Sequence, residues 1–306
     1  MRSINILIVF ILLPAVLYSQ VNSIKKTAIR NGIVANIHEP VVKSSNKLPA
    51  LIVLGGSEGG INSAERTGDS LCLHGFIVMS LAYFKMDSLP SALEEIPLEY
   101  FKKGIDYIKA YSGVDKNRIG IVGTSKGGEA ALLVASVYPD DIKAVFSIVP
   151  SSVVWQSLNF ASPVIKSSWT YEGMPMPYLK FSMPQKVTGN IADYYRGGLE
   201  KNNSDSGFIK VEKIKGPVFI VSGKMDKLWP SYEMGESIVK RLQKNNFGYS
   251  FKHVAYDSAG HSIGGPPLRQ GIDISPLGRN GGSPENNLNA RLTNWELLIN
   301  FFKKNL

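Results

Sequence analysis

The sequence predicts an α/β fold: a mostly parallel, doubly wound sheet with an inserted cap. Three observations carry this reading. Short continuous apolar runs recur at 50–54, 76–80, 144–149 and 217–222, and each suits a strand buried on both faces. Segments of helical periodicity separate them, which implies right-handed crossovers between parallel strands. From Pro150 to Lys215 the alternation stops, and bulky apolar residues follow one another at no clear period.

At 306 residues with 44% hydrophobic content, the chain can bury one large core, so a single domain with an insertion is expected. The formal net charge is +9, from 34 Lys and Arg against 25 Asp and Glu. These charges are scattered (Lys25, Lys26, Lys102, Lys103, Lys303, Lys304) and read as a solvated surface, with no motif for a nucleic-acid partner. Residues 1–20 have the layout of a secretory signal peptide: Arg2, an uncharged apolar run from Ile6 to Tyr18 broken by Pro14, then Ser19-Gln20. Export to the periplasm or the exterior is therefore expected, with no stable membrane span after signal removal. Leu17 and Ser19 stand where small residues are preferred at the cleavage site, so a retained N-terminal anchor is the alternative. Residues 21–306 then form the single domain, with the cap at about 150–215. Cys72 is the lone cysteine, so no intramolecular disulfide or cysteine-based zinc site can form; it reads as a small buried apolar residue in a helix.

In chain order, Gly32 to Ile37 reads as an edge strand. Ala50 to Leu54 is the first buried strand, and Gly55-Gly56-Ser57-Glu58-Gly59-Gly60 follows it; this loop lacks the spacing and the Lys-Ser/Thr pair of a phosphate-binding loop. A helix around Ala64 to Cys72 leads to the strand Phe76 to Ser80. Leu98, Phe101, Ile105 and Ile108 recur at helical spacing. Beyond the cap, helix Tyr232 to Gln243 and strand Tyr249 to Tyr256 follow, then a glycine- and proline-rich loop from Gly264 to Pro284, longer than compact domains usually carry and so expected to be flexible or to form part of a site. The last helix is expected to bury Leu288, Leu292, Trp295, Leu298 and Phe302.

The chemistry centres on Ile119 to Ala130, an apolar strand, a serine bracketed by Gly123 and Gly127, and a helix of small residues. A strand that turns into a helix within so few residues forces Ser125 into a strained conformation, and the two glycines remove the side chains that would collide. An anion beside Ser125 would meet the N-terminal N–H groups of the helix. A serine needs a base to take its proton and a carboxylate to orient that base. Of four histidines, His38, His74 and His253 read as structural, whereas His261 follows a strand on a glycine-bearing loop. Asp226 lies just past a buried strand, at the sheet edge where sites of open α/β folds gather. Asp257, Glu58 and Glu129 are rival carboxylates. The order Ser125, Asp226, His261 is that of the α/β-hydrolases, and the backbone N–H groups of Lys126 and Ser57 are candidates for the oxyanion hole. From the cap, Trp155, Trp169, Met174, Met176 and Phe181 are candidates for an apolar substrate wall.

Leu81-Ala82-Tyr83-Phe84, Pro97-Leu98-Glu99-Tyr100-Phe101, Gly123 to Glu129, Asp226-Lys227-Leu228-Trp229-Pro230-Ser231 and Ala259-Gly260-His261 together resemble the catalytic domain shared by acyl-CoA thioester hydrolases and bile acid-CoA:amino acid N-acyltransferase, over roughly residues 48–306. The resemblance implies an α/β-hydrolase fold, Ser125 as nucleophile, Asp226 as orienting acid, His261 as base, and a small-molecule acyl ester or thioester as substrate, with no cofactor and no metal. Animal members of that family carry a β-sandwich domain ahead of the catalytic one; fewer than fifty residues precede it here, so no such domain is expected. The amino-acid-conjugating branch uses cysteine where this chain has Ser125, so the leading expectation is hydrolysis. An acyltransferase or peptidase on the same scaffold, or a catalytically silent binding protein, are the alternatives.

Overall fold

Residues on alternate faces of each apolar run are buried in two different layers, and this double burial sets the architecture. The computed structural model describes residues 24–41 and 46–306, so the signal-peptide segment lies outside the described residues. The first elements are β1 (Ile24–Ile29), β2 (Val34–Pro40), β3 (Leu48–Leu54), α1 (Asn62–Cys72), β4 (Ile77–Ala82), the short β5 (Ile96–Pro97) and α2 (Leu98–Ala110). The central pair β6 (Val114–Thr124) and α3 (Lys126–Val137) precedes β7 (Ala144–Ile148). After β7 come β8 (Trp169–Tyr171), β9 (Met174–Pro175), α4 (Ala192–Glu200), β10 (Val218–Gly223), α5 (Ser231–Lys244), β11 (Phe251–Tyr256) and α6 (Pro284–Asn305).

Eight strands form one sheet in the order β1-β2-β4-β3-β6-β7-β10-β11. From β4 to β11 every neighbour is parallel, while β1 and β2 add an antiparallel hairpin at one edge. In β3, Ala50, Ile52 and Leu54 pack with α2, α3 and α5, and Leu51 and Val53 pack with α1 and α6; β7 and β10 alternate in the same way. Each strand thereby carries apolar residues on both faces. A Cβ at Gly120 would lie 2.6 Å from the Phe302 ring, so the last helix rests almost on the backbone of β6.

Three sequence expectations need correction. The segment before residue 41 holds two strands: β1 is built from charged and β-branched residues, IKKTAI, whose pairing with β2 supplies order that no apolar run announces. The strand read as an edge, β2, has β1 outside it, and His38 within it is fully buried, as its structural reading expects, with Nδ1 2.8 Å from Asp69 and Nε2 2.8 Å from Ser80. The last helix buries Trp295, Leu298 and Phe302 as expected, but its inward face also takes in Asn287, Ala290, Asn294 and Ile299, while Leu292 is exposed and Leu288 is only partly covered. Two asparagines on that face hold the loops of the site, and that polar demand overrides the apolar pattern. Cys72 closes α1 in the core, where burial pushes its thiol up to about 12, so it is not a nucleophile at neutral pH.

The backbone is tightly packed around Ser125. A Cβ at Gly123 would stand 1.9 Å from the carbonyl oxygen of Gly127, and one at Gly127 would stand 2.3 Å from the carbonyl oxygen of Gly55. Gly123→Ala should therefore cost roughly 3 kcal/mol or more, about 6–12 °C in Tm, or prevent folding. Gly248→Ala, with open space around the added methyl, should leave Tm within roughly 2 °C. Thermal melts of the two variants check this, and equal melting temperatures would contradict it.

Candidate active site

Three loops at the C-terminal edge of the parallel sheet bring the candidate residues together. Ser125 follows β6 directly and caps α3 with φ 59° and ψ −122°, a conformation that costs an L-residue about 1–3 kcal/mol. Its N–H donates to the Ile148 carbonyl at 2.9 Å, and its carbonyl accepts from the Glu129 N–H at 3.0 Å. The backbone on both sides is thus fixed while the side chain borders a cleft of about 400 Å³.

Asp226 lies three residues beyond β10 and is buried. One carboxylate oxygen accepts from the N–H groups of Leu228 (2.9 Å) and Trp229 (3.2 Å). The other accepts from the Ser231 hydroxyl at 2.7 Å and from His261 Nδ1 at 2.8 Å. Four donors leave the carboxylate no freedom to rotate, and its bond to Nδ1 leaves His261 Nε2 as the free acceptor. The run Asp226 to Ser231 is a self-contained mount for one carboxylate: Trp229 also lies edge-on to the His261 ring and donates its indole N–H to the Val149 carbonyl.

His261 is placed by contacts that sequence reasoning missed. The Gly260 N–H donates to Asn287 Oδ1 at 2.7 Å, and the Asn287 amide donates to the carbonyls of Leu277 (2.7 Å) and Gly281 (2.8 Å). Gly223 lets this loop press on β10, since a Cβ there would lie 2.4 Å from the carbonyl oxygens of Ala259 and Gly260. The available signal was the spacing of Asn287, Arg291 and Asn294, a polar stripe at helical intervals on a helix whose other buried positions are apolar. His261 borders the same cleft as Ser125, and no hydrogen bond joins the two side chains in this conformation. Such bonds often close only when substrate is bound. A serine hydroxyl, an imidazole with a free Nε2, and a carboxylate that orients the ring are the parts that acyl transfer requires.

The candidate oxyanion donors flank the serine. As the first residue of α3, Lys126 has an N–H with no intrahelical acceptor. Ser57 borders the cleft, and a Cβ on its neighbour Gly56 would lie 3.3 Å from Ser125 Cβ, so the two segments are in contact. The rival carboxylates have other partners. Asp257 is exposed and paired with Lys224, Glu58 accepts from the Ser63 hydroxyl and the Gly56 N–H, and Glu129 is buried with Lys126. The remaining histidines have structural places as well: burial lowers the pKa of His253, which bridges Glu236 and Ser222, and of His74, which packs edge-on against Trp295.

The five cap residues expected to line the substrate wall do not border the cleft. Trp155 is fully buried against Phe181 and Tyr195, Trp169 packs on Tyr83 and Phe101, Met174 is exposed, and Met176 borders a separate hollow beside α3. For the two tryptophans the physical reason is the charge on Glu129. This fully buried carboxylate takes both contacts of Lys126 Nζ at 2.8 Å, the Trp169 indole N–H at 2.7 Å and the Trp155 backbone N–H at 3.3 Å, while Lys126 also donates to Ser168 at 3.1 Å. The tryptophans complete an ion pair that bolts the cap segment to the elbow helix. Burial raises the pKa of Glu129 and lowers that of Lys126, and their mutual attraction opposes both shifts.

Comparison with known proteins follows this geometry. The profile of the BAAT / acyl-CoA thioester hydrolase C-terminal family matches residues 96–306. The chain belongs to this family. Among curated relatives, mouse acyl-coenzyme A thioesterase 6 is 29% identical over 92% of this chain and 66% of its own length, and mouse acyl-coenzyme A thioesterase 1 is 30% identical over 84% and 60%. The chain thus spans about two thirds or less of the length of these relatives. Solved structures agree on the fold: a protein described as a dienelactone hydrolase from Klebsiella pneumoniae superposes with a TM-score of 0.58 at 17% identity, over 92% of this chain and 98% of that one. An α/β hydrolase from a deep-sea metagenome superposes with 0.53 at 17% identity, over 93% and 98%. Family membership and the solved structures agree on an α/β-hydrolase fold.

The buried pair offers a test of what secures the family's elbow helix here. Glu129→Gln and Lys126→Met should each cost about 3–5 kcal/mol, because each strands a buried charge, whereas the double variant should recover most of the loss. Denaturant unfolding of the three variants measures this, and additive losses would contradict it.

Proposed function

We propose that the protein is a serine-dependent hydrolase of acyl thioesters or carboxylic esters, acting through an acyl-enzyme on Ser125. The observation that carries the proposal is the His261 ring, held by a four-donor Asp226 carboxylate and bordering the cleft that holds the strained Ser125. In the proposed cycle His261 Nε2 takes the proton of Ser125 as Oγ attacks the acyl carbon. The backbone N–H groups of Lys126 and Ser57 receive the charge that develops on the carbonyl oxygen, at the positive end of α3. The protonated ring then gives its proton to the leaving thiolate or alkoxide. A water, deprotonated by the same nitrogen, attacks the acyl-enzyme, and the ring returns that proton to Ser125 Oγ as the acid is released. The acceptor is water, because an oxygen ester on serine reacts less readily with amines than a thioester on cysteine.

Ser125→Ala should abolish fluorophosphonate labelling and nearly all turnover of p-nitrophenyl esters and acyl-CoAs. Asp226→Asn should fold normally and lose on the order of 10⁴-fold in kcat, through the wrong imidazole tautomer. Turnover retained in Ser125→Ala, measured beside its circular dichroism spectrum, would overturn the mechanism.

We further propose export, on the layout of residues 1–20; among the described residues no helix is long and apolar enough to cross a membrane. Mass spectrometry of the native protein should give an N-terminus near Gln20 or Val21, and an intact Met1 in a cytosolic fraction would refute export.

A further inference from the structure

Two side chains beside the loop after β3 have no part in the proposed cycle: Glu58, within the loop, and Tyr83, just past β4. Both are bonded to the loop backbone. Tyr83 is buried, and its hydroxyl donates to the Gly55 carbonyl at 2.7 Å and lies 3.4 Å from the carbonyl oxygen of Gly56. Glu58 is exposed, but its carboxylate turns back over the loop, where one oxygen accepts from the Gly56 N–H at 3.1 Å and from the Ser63 hydroxyl on α1. The Gly55 carbonyl and the Gly56 N–H are the two polar ends of one peptide group. That peptide is therefore gripped at both ends, by a phenol on one side and a carboxylate on the other.

Gly55 and Gly56 lack Cβ atoms, so an ungripped peptide between them would flip at little conformational cost. The next peptide, between Gly56 and Ser57, is held by its carbonyl, which accepts from the Gly59 N–H at 3.4 Å and faces Tyr83. A trans peptide points its N–H opposite to its C=O, so the Ser57 N–H is turned away from Tyr83. Among the described residues this N–H has no acceptor, and Ser57 borders the cleft that holds Ser125. Tyr83 is itself fixed, since its ring packs on Phe84, Phe101 and Trp169. Burial, with the charges of Glu58 and Glu129, holds its pKa well above that of an ordinary phenol, so the hydroxyl keeps its proton and remains a donor.

We propose that Glu58 and Tyr83 are positioning residues of the oxyanion hole: together they fix the Gly55–Gly56 peptide, and through it the direction of the Ser57 N–H. Neither touches the reacting atoms. The proposal rests on the hydrolase reading for its consequence in catalysis, and on the gripped peptide alone for the geometry. A donor turned aside by a peptide flip costs the transition state, whose oxygen is charged, more than it costs the bound substrate, whose carbonyl is neutral. The loss should therefore fall on kcat and spare KM.

Three variants test this: Tyr83→Phe, which removes only the hydroxyl; Glu58→Ala; and Glu58→Gln, whose amide oxygen can still accept from Gly56 and Ser63. Turnover of a p-nitrophenyl ester gives kcat and KM, with kcat referred to the active sites titrated by a fluorophosphonate, so that unfolded protein is not counted. Tyr83→Phe and Glu58→Ala should each lower kcat roughly tenfold or more while KM stays within about threefold, and Glu58→Gln should keep kcat within about threefold of the unaltered protein. A kcat within about twofold of the unaltered protein in either Tyr83→Phe or Glu58→Ala overturns the proposal. A loss in Glu58→Gln as large as that in Glu58→Ala would mean that Glu58 acts by its charge and not by its grip, and overturns it as well. Amide hydrogen exchange, read by NMR, tests the grip without turnover: the Gly56 N–H should exchange roughly tenfold faster or more in Glu58→Ala, while the amides of β6 keep their protection. Exchange at Gly56 that is the same in both proteins overturns the grip. Absence of turnover and of fluorophosphonate labelling in the unaltered protein would remove the hydrolase reading instead, and the exchange rates would still decide whether the peptide is gripped.

Discussion

The backbone crowding around Ser125 is the constraint on which the rest of the structure depends. Gly123, Gly127 and Gly55 lie so close that no side chain fits at the first two, and only that approach allows a strand to pass into a helix through a residue at φ 59°. The cost of that strained residue is met by the core around it. β6 is central in the sheet, apolar on both faces, and covered by α3 on one side and α6 on the other. A rigid frame of this kind is what allows a hydroxyl to be presented to a cleft while its own backbone hydrogen bonds are satisfied.

A second constraint follows from the first. Helix α3 begins at the elbow, and its first turn carries Lys126 and Glu129, both buried. Two charges out of water must be paired and hydrogen-bonded, and the partners come from the segment between β7 and β10: Trp155, Ser168 and Trp169. The aromatic residues of that segment thus serve the elbow from behind, and the cleft in front is left to the loop after β3, helix α1 and helix α6. Its wall there combines apolar side chains such as Val53, Ile148 and Leu298 with Glu58, Arg66, Arg291 and Asn294.

Much of this was legible in the sequence, and the parts that were not share a cause. Strands buried on both faces, the glycine-bracketed serine and the strand-end aspartate are written in local composition, because each is dictated by near neighbours along the chain. The hairpin strand β1 and the roles of Asn287 and Trp169 depend on partners far away in sequence. Trp169 read as pocket lining because an aromatic residue looks the same whether it meets a substrate or donates an indole N–H to a buried carboxylate. Asn287 was passed over because its neighbour Leu288 was expected to start the buried face of α6, and only the demand of the His261 loop for an amide turns Asn287 inward.

The central claim is that Ser125 itself carries the acyl group during turnover. Trypsin cleavage after Arg118 and Lys126 isolates Ile119–Lys126, an eight-residue peptide that contains Ser125 and no other serine. Acid quenching within the first turnover on a p-nitrophenyl ester or an acyl-CoA, followed by digestion and mass spectrometry, should find this peptide heavier by the mass of one acyl group. Rapid turnover with that peptide unmodified, or with the acyl group on another residue, would contradict the account.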